Sequence, residues 1–383
     1  MNRAVSFFLI IVLSFISAQN LEAKDKSGLF NLSVWHPLSL RSYQAGNKSL
    51  LSIGLPHSIE ANTTGLKLDL VAGTNRENMN GVLISGLLSK IDRDCNGLVI
   101  NGIGNITKGK TRGVSISGYI NLHFESSTGM QLAGLSNFNV GKTGGIQLSG
   151  IHNFSAGDMH GIQISGGMNI AASHVSGVQL SGLFNASLEN MKGVQLGIGN
   201  YARSIYGTQI GVFNAVGRKA EGVQIGLINY AYEESSVKLG LINVSNETRL
   251  QSLVYSGNSS FINFAARFRN KHYYNQIGIG FPSFLSPNTF SGTINYRAGL
   301  ILPIRNLSIN SDLGFSHISL RDKESISAMP SKLFSLQARS SLEIKIVDRF
   351  SFFVTGGYEW ISGYKNIGTY DHQPIVEFGI ALF

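Results

Sequence analysis

Gly177-Val-Gln-Leu-Ser-Gly-Leu-Phe-Asn185 is the stretch that decides the fold. The same frame recurs along the chain. Glycine opens it at 65, 81, 97, 113, 129, 145, 161, 177 and 193, each 16 residues after the last. Shorter units open at Gly207 and Gly222, with a degenerate one near Ser236, so about twelve units fill residues 65–250. A fixed period of this kind is the signature of a repeat architecture. Gln recurs at 131, 147, 163, 179, 195, 209 and 224, and Asn closes the core at 105, 121, 137, 153, 169, 185, 200, 214, 229 and 243.

Within a unit, Val178 and Leu180 alternate with Gln179 and Ser181, the two-residue period of a strand. The Ser-Gly pair that follows reads as a corner. Late units shorten it to one glycine, as at Leu196-Gly197 and Ile225-Gly226. A deletion inside a straight strand would turn every later side chain to the other face, whereas a corner absorbs it. Two architectures fit. In a solenoid, each unit is a coil, equivalent positions stack in parallel, Gln and Asn form ladders, and Val and Leu fill a narrow core. In an antiparallel meander, each unit is a strand plus a turn. Constant spacing and recurrent Asn favour the solenoid, which needs capped ends. Residues 24–64 are the N-terminal candidate, as a β segment that serves as cap or first barrel strand.

Composition agrees with an all-β chain. There are 45 Gly, 22 Phe and 13 Tyr but only 7 Pro in 383 residues, and 14% of residues are charged. The formal charge of +9 is scattered through the turns, as at Lys108, Lys110 and Arg112. Nucleic-acid binders gather such charge into one patch, so no nucleic-acid partner is expected. Arg3 followed by the apolar run Phe7 to Ile16 reads as a secretory signal over 1–23, cleaved after Ala18 or Ala23. No later segment is apolar enough for a membrane helix, so a membrane form must be a closed barrel.

Beyond residue 250 the repeat stops. Seven strand-like runs follow, near 259–268, 274–281, 292–302, 307–320, 333–347, 349–362 and 374–383. Several alternate cleanly: Leu336, Ala338, Leu342, Ile344 and Ile346 stand opposite Gln337, Arg339, Ser341, Glu343 and Lys345. Long strands with one apolar face suit an outer-membrane barrel over 251–383. A soluble sandwich shows the same alternation with its faces exchanged. In the last strand, Val376, Phe378, Ile380 and Leu382 share one face, while the terminal Phe383 shares parity with Glu377. Single-chain bacterial barrels have even strand counts, so Phe30 to Ser39 is expected to supply the eighth strand.

The Gly-Val-Gln-Leu-x-Gly-Leu-x-Asn units resemble the bacterial surface-repeat proteins first named from leptospires. The opening Phe30-Asn-Leu-Ser-Val-Trp-His-Pro-Leu38 and the segment Tyr273-Tyr274-Asn-Gln-Ile-Gly-Ile-Gly280 resemble that family's first strand and the start of its barrel-like region. The resemblance covers most of the chain beyond the signal. It implies a Gram-negative outer-membrane or surface location and supplies no catalytic residues.

Motifs for chemistry lose to simpler readings. Gly104-Asn-Ile-Thr-Lys-Gly109-Lys110-Thr111 fits the phosphate-loop pattern. That loop requires a following helix, and Gly113-Val-Ser-Ile begins another repeat strand, so no nucleotide is expected. His152, His160 and His174 fall at different repeat positions, unlike metal ligands. Asp92 and Asp94 share one turn, Glu233 and Glu234 another, and no carboxylate recurs in the strands, as a glycosidase would need. Asn153, Asn185, Asn243 and Asn258 open glycosylation sequons that composition explains. Cys95 is the sole cysteine and has no disulfide partner. The sequence therefore assigns no catalytic, cofactor or metal residues. The expected protein is noncatalytic, carries its structural or interaction role on the repeats, and has outer-membrane lipid as its one named partner. The alternatives are a small-solute pore, with Arg297, Arg339, Glu343 and Glu359 lining it, and a soluble secreted or periplasmic binding module.

Overall fold

The computed structural model describes residues 28–35, 38–40, 44–233, 236–281, 289–322, 332–364 and 369–383. The signal segment read at 1–23 and Glu234 lie outside the described residues. Every regular element among those residues is a β-strand. The chain divides into two compact units, one ending at Leu188 and the other running from Glu189 to Phe383.

In the first unit the repeats stack in parallel. Met159–Ser165 lies between Thr143–Ser149 and Val175–Ser181, with glycine on glycine and Gln on Gln in register. Met168–Ala171 lies likewise beside His152–Ser155. Each 16-residue unit is thus one solenoid coil of two strands joined by the glycine corner, and the meander is excluded. The strand Gly28–Trp35 pairs in parallel with Lys48–Gly54, the first strand of the stack.

One expectation is reversed. The aliphatic residues do not fill the coil: Gln179 is 0% exposed, whereas Leu180 is 39% exposed. From Gln131 onward the Gln and Asn positions make the interior polar and Val, Leu and Ile line the outside, while the earlier coils bury Leu83 and Val99 at the same position. The corner explains the inversion. Its backbone carbonyls point inward, and the Asn amide of the preceding coil satisfies them: Asn137 Nδ2 donates to Leu148 O at 2.8 Å and Asn153 Nδ2 to Ile164 O at 2.8 Å. An aliphatic side chain there would leave a buried acceptor unpaired, at a cost of about 1–3 kcal/mol each.

The second unit begins with further coils. Gly199–Asn200 and the residues after it stack on Phe213–Val216, and the series ends at Ile242–Ser245. Eight antiparallel strands follow and close on themselves. They are Arg249–Gly257, Ile262–Arg269, Tyr273–Phe281, Thr289–Ile304, Leu307–Asp322, Lys332–Val347, Phe350–Gly363 and Thr369–Leu382. The eighth strand is therefore Arg249–Gly257, which pairs with both Ile262–Arg269 and Thr369–Leu382. Residues 30–39 do not supply it. Arg249–Gly257 is hard to read in sequence because Leu253 and Tyr255 point inward with Gln251, which erases the apolar-polar alternation.

Coil spacing also fixes the first residue of each unit. Gly161 has φ 129°, and a Cβ built on it would lie 2.0 Å from Gly145 O. Both the backbone conformation and the close approach demand glycine. Gly161→Ala is expected to destabilise the first unit by about 2–5 kcal/mol, combining backbone strain with overpacking. The exposed neighbour change His160→Ala should shift stability by under about 0.5 kcal/mol. Urea unfolding midpoints followed by circular dichroism check both.

Candidate functional site

The barrel interior holds the largest group of buried charges among the described residues. Alternation along each strand sends Arg267, Arg297, Asp312, Arg339, Glu343, Glu359 and Glu377 inward, all nearly inaccessible to solvent. They pair with one another, although Arg267 Nε and Nη2 find no hydrogen-bond partner and its guanidinium lies over the Tyr274 and Phe353 rings. Arg339 grips Asp312 with two bonds of 3.0 and 2.8 Å and also binds Glu377. Glu343 accepts from Arg267 at 2.8 Å, from Arg269 at 3.0 Å and from Asn310 at 2.8 Å. Arg297 donates to Tyr255 Oη at 2.5 Å and to Gln337 Oε1 at 2.9 Å, and Gln337 passes a bond to Glu359 at 3.0 Å. Tyr274 Oη donates to Asp312 at 2.5 Å.

The four residues read as pore-lining, Arg297, Arg339, Glu343 and Glu359, thus do meet in the lumen. They fill it instead of lining a passage. The void among Tyr255, Arg267, Tyr274, Arg339 and Glu377 is about 10 Å³, room for about one water. An eight-stranded barrel is only just wide enough for its own side chains.

At one end the lumen opens into a cavity of about 590 Å³ whose walls carry Arg249, Arg269, Lys271, Arg305 and Lys345 against Glu247 and Glu343. This mouth is ringed by the short connections after Arg269, Ile304 and Val347. Arg269 donates to Glu343, and Lys345 pairs with Asp348 at 2.7 Å.

The outer wall has the opposite character. Leu300, Leu313 and Ile294 are 70%, 72% and 60% exposed, and Leu302, Ile346, Val376 and Phe378 are exposed beside them. Val376 and Phe378 fall on the face read from the sequence. Charged groups inside and aliphatic groups outside rule out the sandwich, which would bury the aliphatics.

The solenoid interior contains a second charged group that the sequence reading missed. Lys67 stands where later coils have Gln and is fully buried. Its Nζ donates to Thr74 O at 2.7 Å and Asn75 Oδ1 at 2.9 Å, with Asp69 at 3.9 Å. Burial pushes the Asp69 carboxyl up to about 6, against the pull of Lys67. Glu60 accepts from Asn31 at 2.6 Å, Ser49 at 2.8 Å and Ser52 at 2.7 Å. In the second unit Lys238 occupies the same repeat position in the last coil and donates to Val244 O at 3.0 Å. The available signal was a Lys at the Gln position: Lys67 precedes Leu83, Val99, Ser115 and the first ladder Gln at 131, and Lys238 follows Gln224 in the last coil.

The remaining sequence candidates are scattered. Gly104–Thr107 is a strand and Thr111–Ser117 is the next, so the phosphate-loop pattern leads into sheet instead of a helix N-terminus. His152 bonds Ser136 Oγ at 2.9 Å, while His160 and His174 are exposed. Asp92 pairs with Lys90 and Lys108, and Asp94 accepts from the Lys110 amide. Asn153, Asn185 and Asn243 are buried ladder residues. A different histidine, His123, is buried among Asn105, Ser127 and Gln131, and burial holds its pKa down to about 4. Cys95 sits in an apolar pocket with Met79, Leu83, Ile91 and Val99. Burial, aided by Asp94, pushes its thiol up to about 12.

No protein-family model and no curated protein matches the chain. Among solved structures, the N-terminal β-barrel domain of Pseudomonas aeruginosa OprF aligns at 9% identity and a TM-score of 0.26, covering 35% of this chain and 93% of that one. Neisserial surface protein A (NspA) aligns at 10% identity and a TM-score of 0.26, with the same coverage of 35% and 93%.

Arg339→Ala leaves Asp312 and Glu377 buried without their cation, and breaking such a pair costs about 3–5 kcal/mol. The barrel should lose its folded, fast-migrating band in unheated gels at a clearly lower temperature than the parent. Cys95 should resist a maleimide or disulfide reagent at neutral pH in the native protein and react on denaturation, since only the thiolate attacks; mass spectrometry of each state reads this out.

Proposed function

We propose that this chain is a noncatalytic outer-membrane protein whose barrel anchors a repeat scaffold. One observation carries the reading: the barrel is apolar outside and charged inside. Exposing Leu300, Leu313, Ile294 and Phe378 to water is unfavourable by about 25 cal/mol per Å² of apolar surface, and a lipid core removes that penalty. A closed barrel also leaves no unpaired strand edge, which lipid requires. Five of the strands run 14 to 16 residues, above the roughly 9–11 that a tilted strand needs to cross.

The packed lumen favours an anchor over a pore. The paired carboxylates and guanidiniums are held at hydrogen-bonding distance, and the void between them among the described residues is about 10 Å³. The two ends of the barrel differ. Connections after Arg269, Ile304 and Val347 are short, while those at 282–288, 323–331 and 364–368 are longer. Outer-membrane barrels put short turns in the periplasm and longer loops outside. On that rule the basic mouth and the incoming solenoid face the periplasmic side. The coils supply a repeating surface.

Fractionation with alkaline carbonate washing tests the anchor. The protein should stay with the outer membrane through the wash. Release into the soluble fraction would overturn the reading and favour a secreted or periplasmic module.

A further inference from the structure

The solenoid is amphipathic across its width, and the last coil touches the barrel wall. In the coils of the second unit, the outward positions around the corner, beyond the opening glycine, carry apolar or aromatic residues and one Thr, while Lys192, Tyr206 and Glu221 stand on the same faces just before that glycine. Coil by coil these are Val194, Leu196, Ile198 and Tyr201; then Thr208, Ile210, Val212 and Phe213; then Val223, Ile225, Leu227 and Ile228; then Val237, Leu239 and Leu241. Ile198, Phe213, Leu227 and Val237 are each about half exposed. Charged residues gather at the opposite, turn edge: Arg203 binds Glu189 at 2.5 Å, Lys219 binds Glu221, and Arg218 and Glu233 are exposed beside them. Soluble monomers rarely expose an apolar strip that continues coil after coil.

What covers this strip is indicated by its end. Asn243 of the last coil donates to Asn275 Oδ1 at 2.5 Å, and Gly240 O accepts from Asn275 at 3.1 Å and from Tyr296 Oη at 2.6 Å. Asn275 and Tyr296 alternate with the inward-facing Tyr274, Gln276 and Arg297, so they belong to the outer wall. The coil therefore seats on the same surface that carries Ile279, Ile294 and Leu300 toward lipid. That seat lies near the short connection after Arg269.

We infer that the glycine-corner edge of these coils is a lipid-binding surface, immersed in the leaflet next to the barrel's short-turn end, with the charged turn edge in water. The occupant is acyl chain, and the mode is that of an interfacial amphipathic element, built here from stacked coils. The buried amides make it tolerable: Asn214 to Asn229 at 2.8 Å, Asn229 to Asn243 at 2.8 Å and Gln224 to Gln209 at 2.8 Å already pair inside the coil, so no polar side chain of the core meets lipid. This inference rests on the membrane reading of the barrel.

The experiment separates the two. Three variants that each add one cysteine to the buried Cys95, Leu227→Cys at the corner, Lys219→Cys at the turn edge and Leu313→Cys on the barrel wall, are labelled under native conditions with an environment-sensitive fluorophore. The full-length protein is then placed in phosphatidylcholine vesicles with and without brominated acyl chains. The parent, whose Cys95 is buried, serves as the label-free control. Loss of most fluorescence at positions 227 and 313, with position 219 retained, is the expected result. Quenching at 313 alone overturns the inference and leaves the barrel in the membrane; if the 227 probe is then also shielded from aqueous iodide, a protein covers the strip. Equal quenching at 219 and 227 overturns the seating by one edge. No quenching at 313 overturns the membrane reading and this inference with it.

Discussion

Hydrogen bonding between side-chain amides in successive coils is the interaction on which the structure depends. In the first unit the Asn column runs from 121 through 137, 153 and 169 to 185, with each Nδ2 donating to the Oδ1 of the next coil at 2.9 to 3.0 Å. The Gln column runs the other way: Gln147, Gln163 and Gln179 donate to the coil before at 2.9, 2.7 and 2.9 Å. Two amide chains of opposite direction lie side by side, so their dipoles offset each other. Each Asn also has a donor left for a corner carbonyl. A network this complete rigidifies its coil, and one missing member would leave a costly orphan.

That satisfaction inside is what frees the outside. In an ordinary sheet protein the core must be apolar because burial of aliphatic surface drives folding. Here the coil interior is closed by amides, so the aliphatic residues at the second and fourth repeat positions occupy the wall. The barrel makes the same exchange with different chemistry. Arg339, Arg297 and Arg267 pair with Asp312, Glu377 and Glu343 inside, and the aliphatics face outward. Buried ion pairs add little stability by themselves, but their side chains fill the lumen.

Much of this was legible. Repeat length, the glycine corner, the parallel stack and the alternation of the long barrel strands all follow from spacing. Which face points inward did not. A two-residue period shows that two faces differ, not which one meets solvent. For the barrel, strand length and the charged run Arg339 and Glu343 suggested the answer. For the coils, Gln and Asn read as ladders and Val and Leu as core, and both cannot occupy one narrow interior. The eighth barrel strand escaped because Leu253 and Tyr255 pack inward against Phe353, giving it no polar face to count. The buried Lys67, Asp69 and Glu60 escaped because they precede the run of recurring Gln and Asn.

A stack of coils ends in an unpaired edge, which invites further strands. The last coil solves this without a cap of its own. Asn243, which would have donated to the next coil, donates to Asn275 of the barrel, and the exposed Gly240 carbonyl is taken up by Asn275 and Tyr296. Asn270 joins from the neighbouring turn, accepting from Thr248 at 2.5 Å. The barrel wall thus stands in for a further coil at the Asn position. The Gln column has no such successor: its place in the last coil is Lys238, whose ammonium turns to the Val244 carbonyl within the same coil. One column is handed on to the barrel and the other is terminated. The last coil is thus held on the barrel wall through Asn243, Gly240, Ser245 and Thr248.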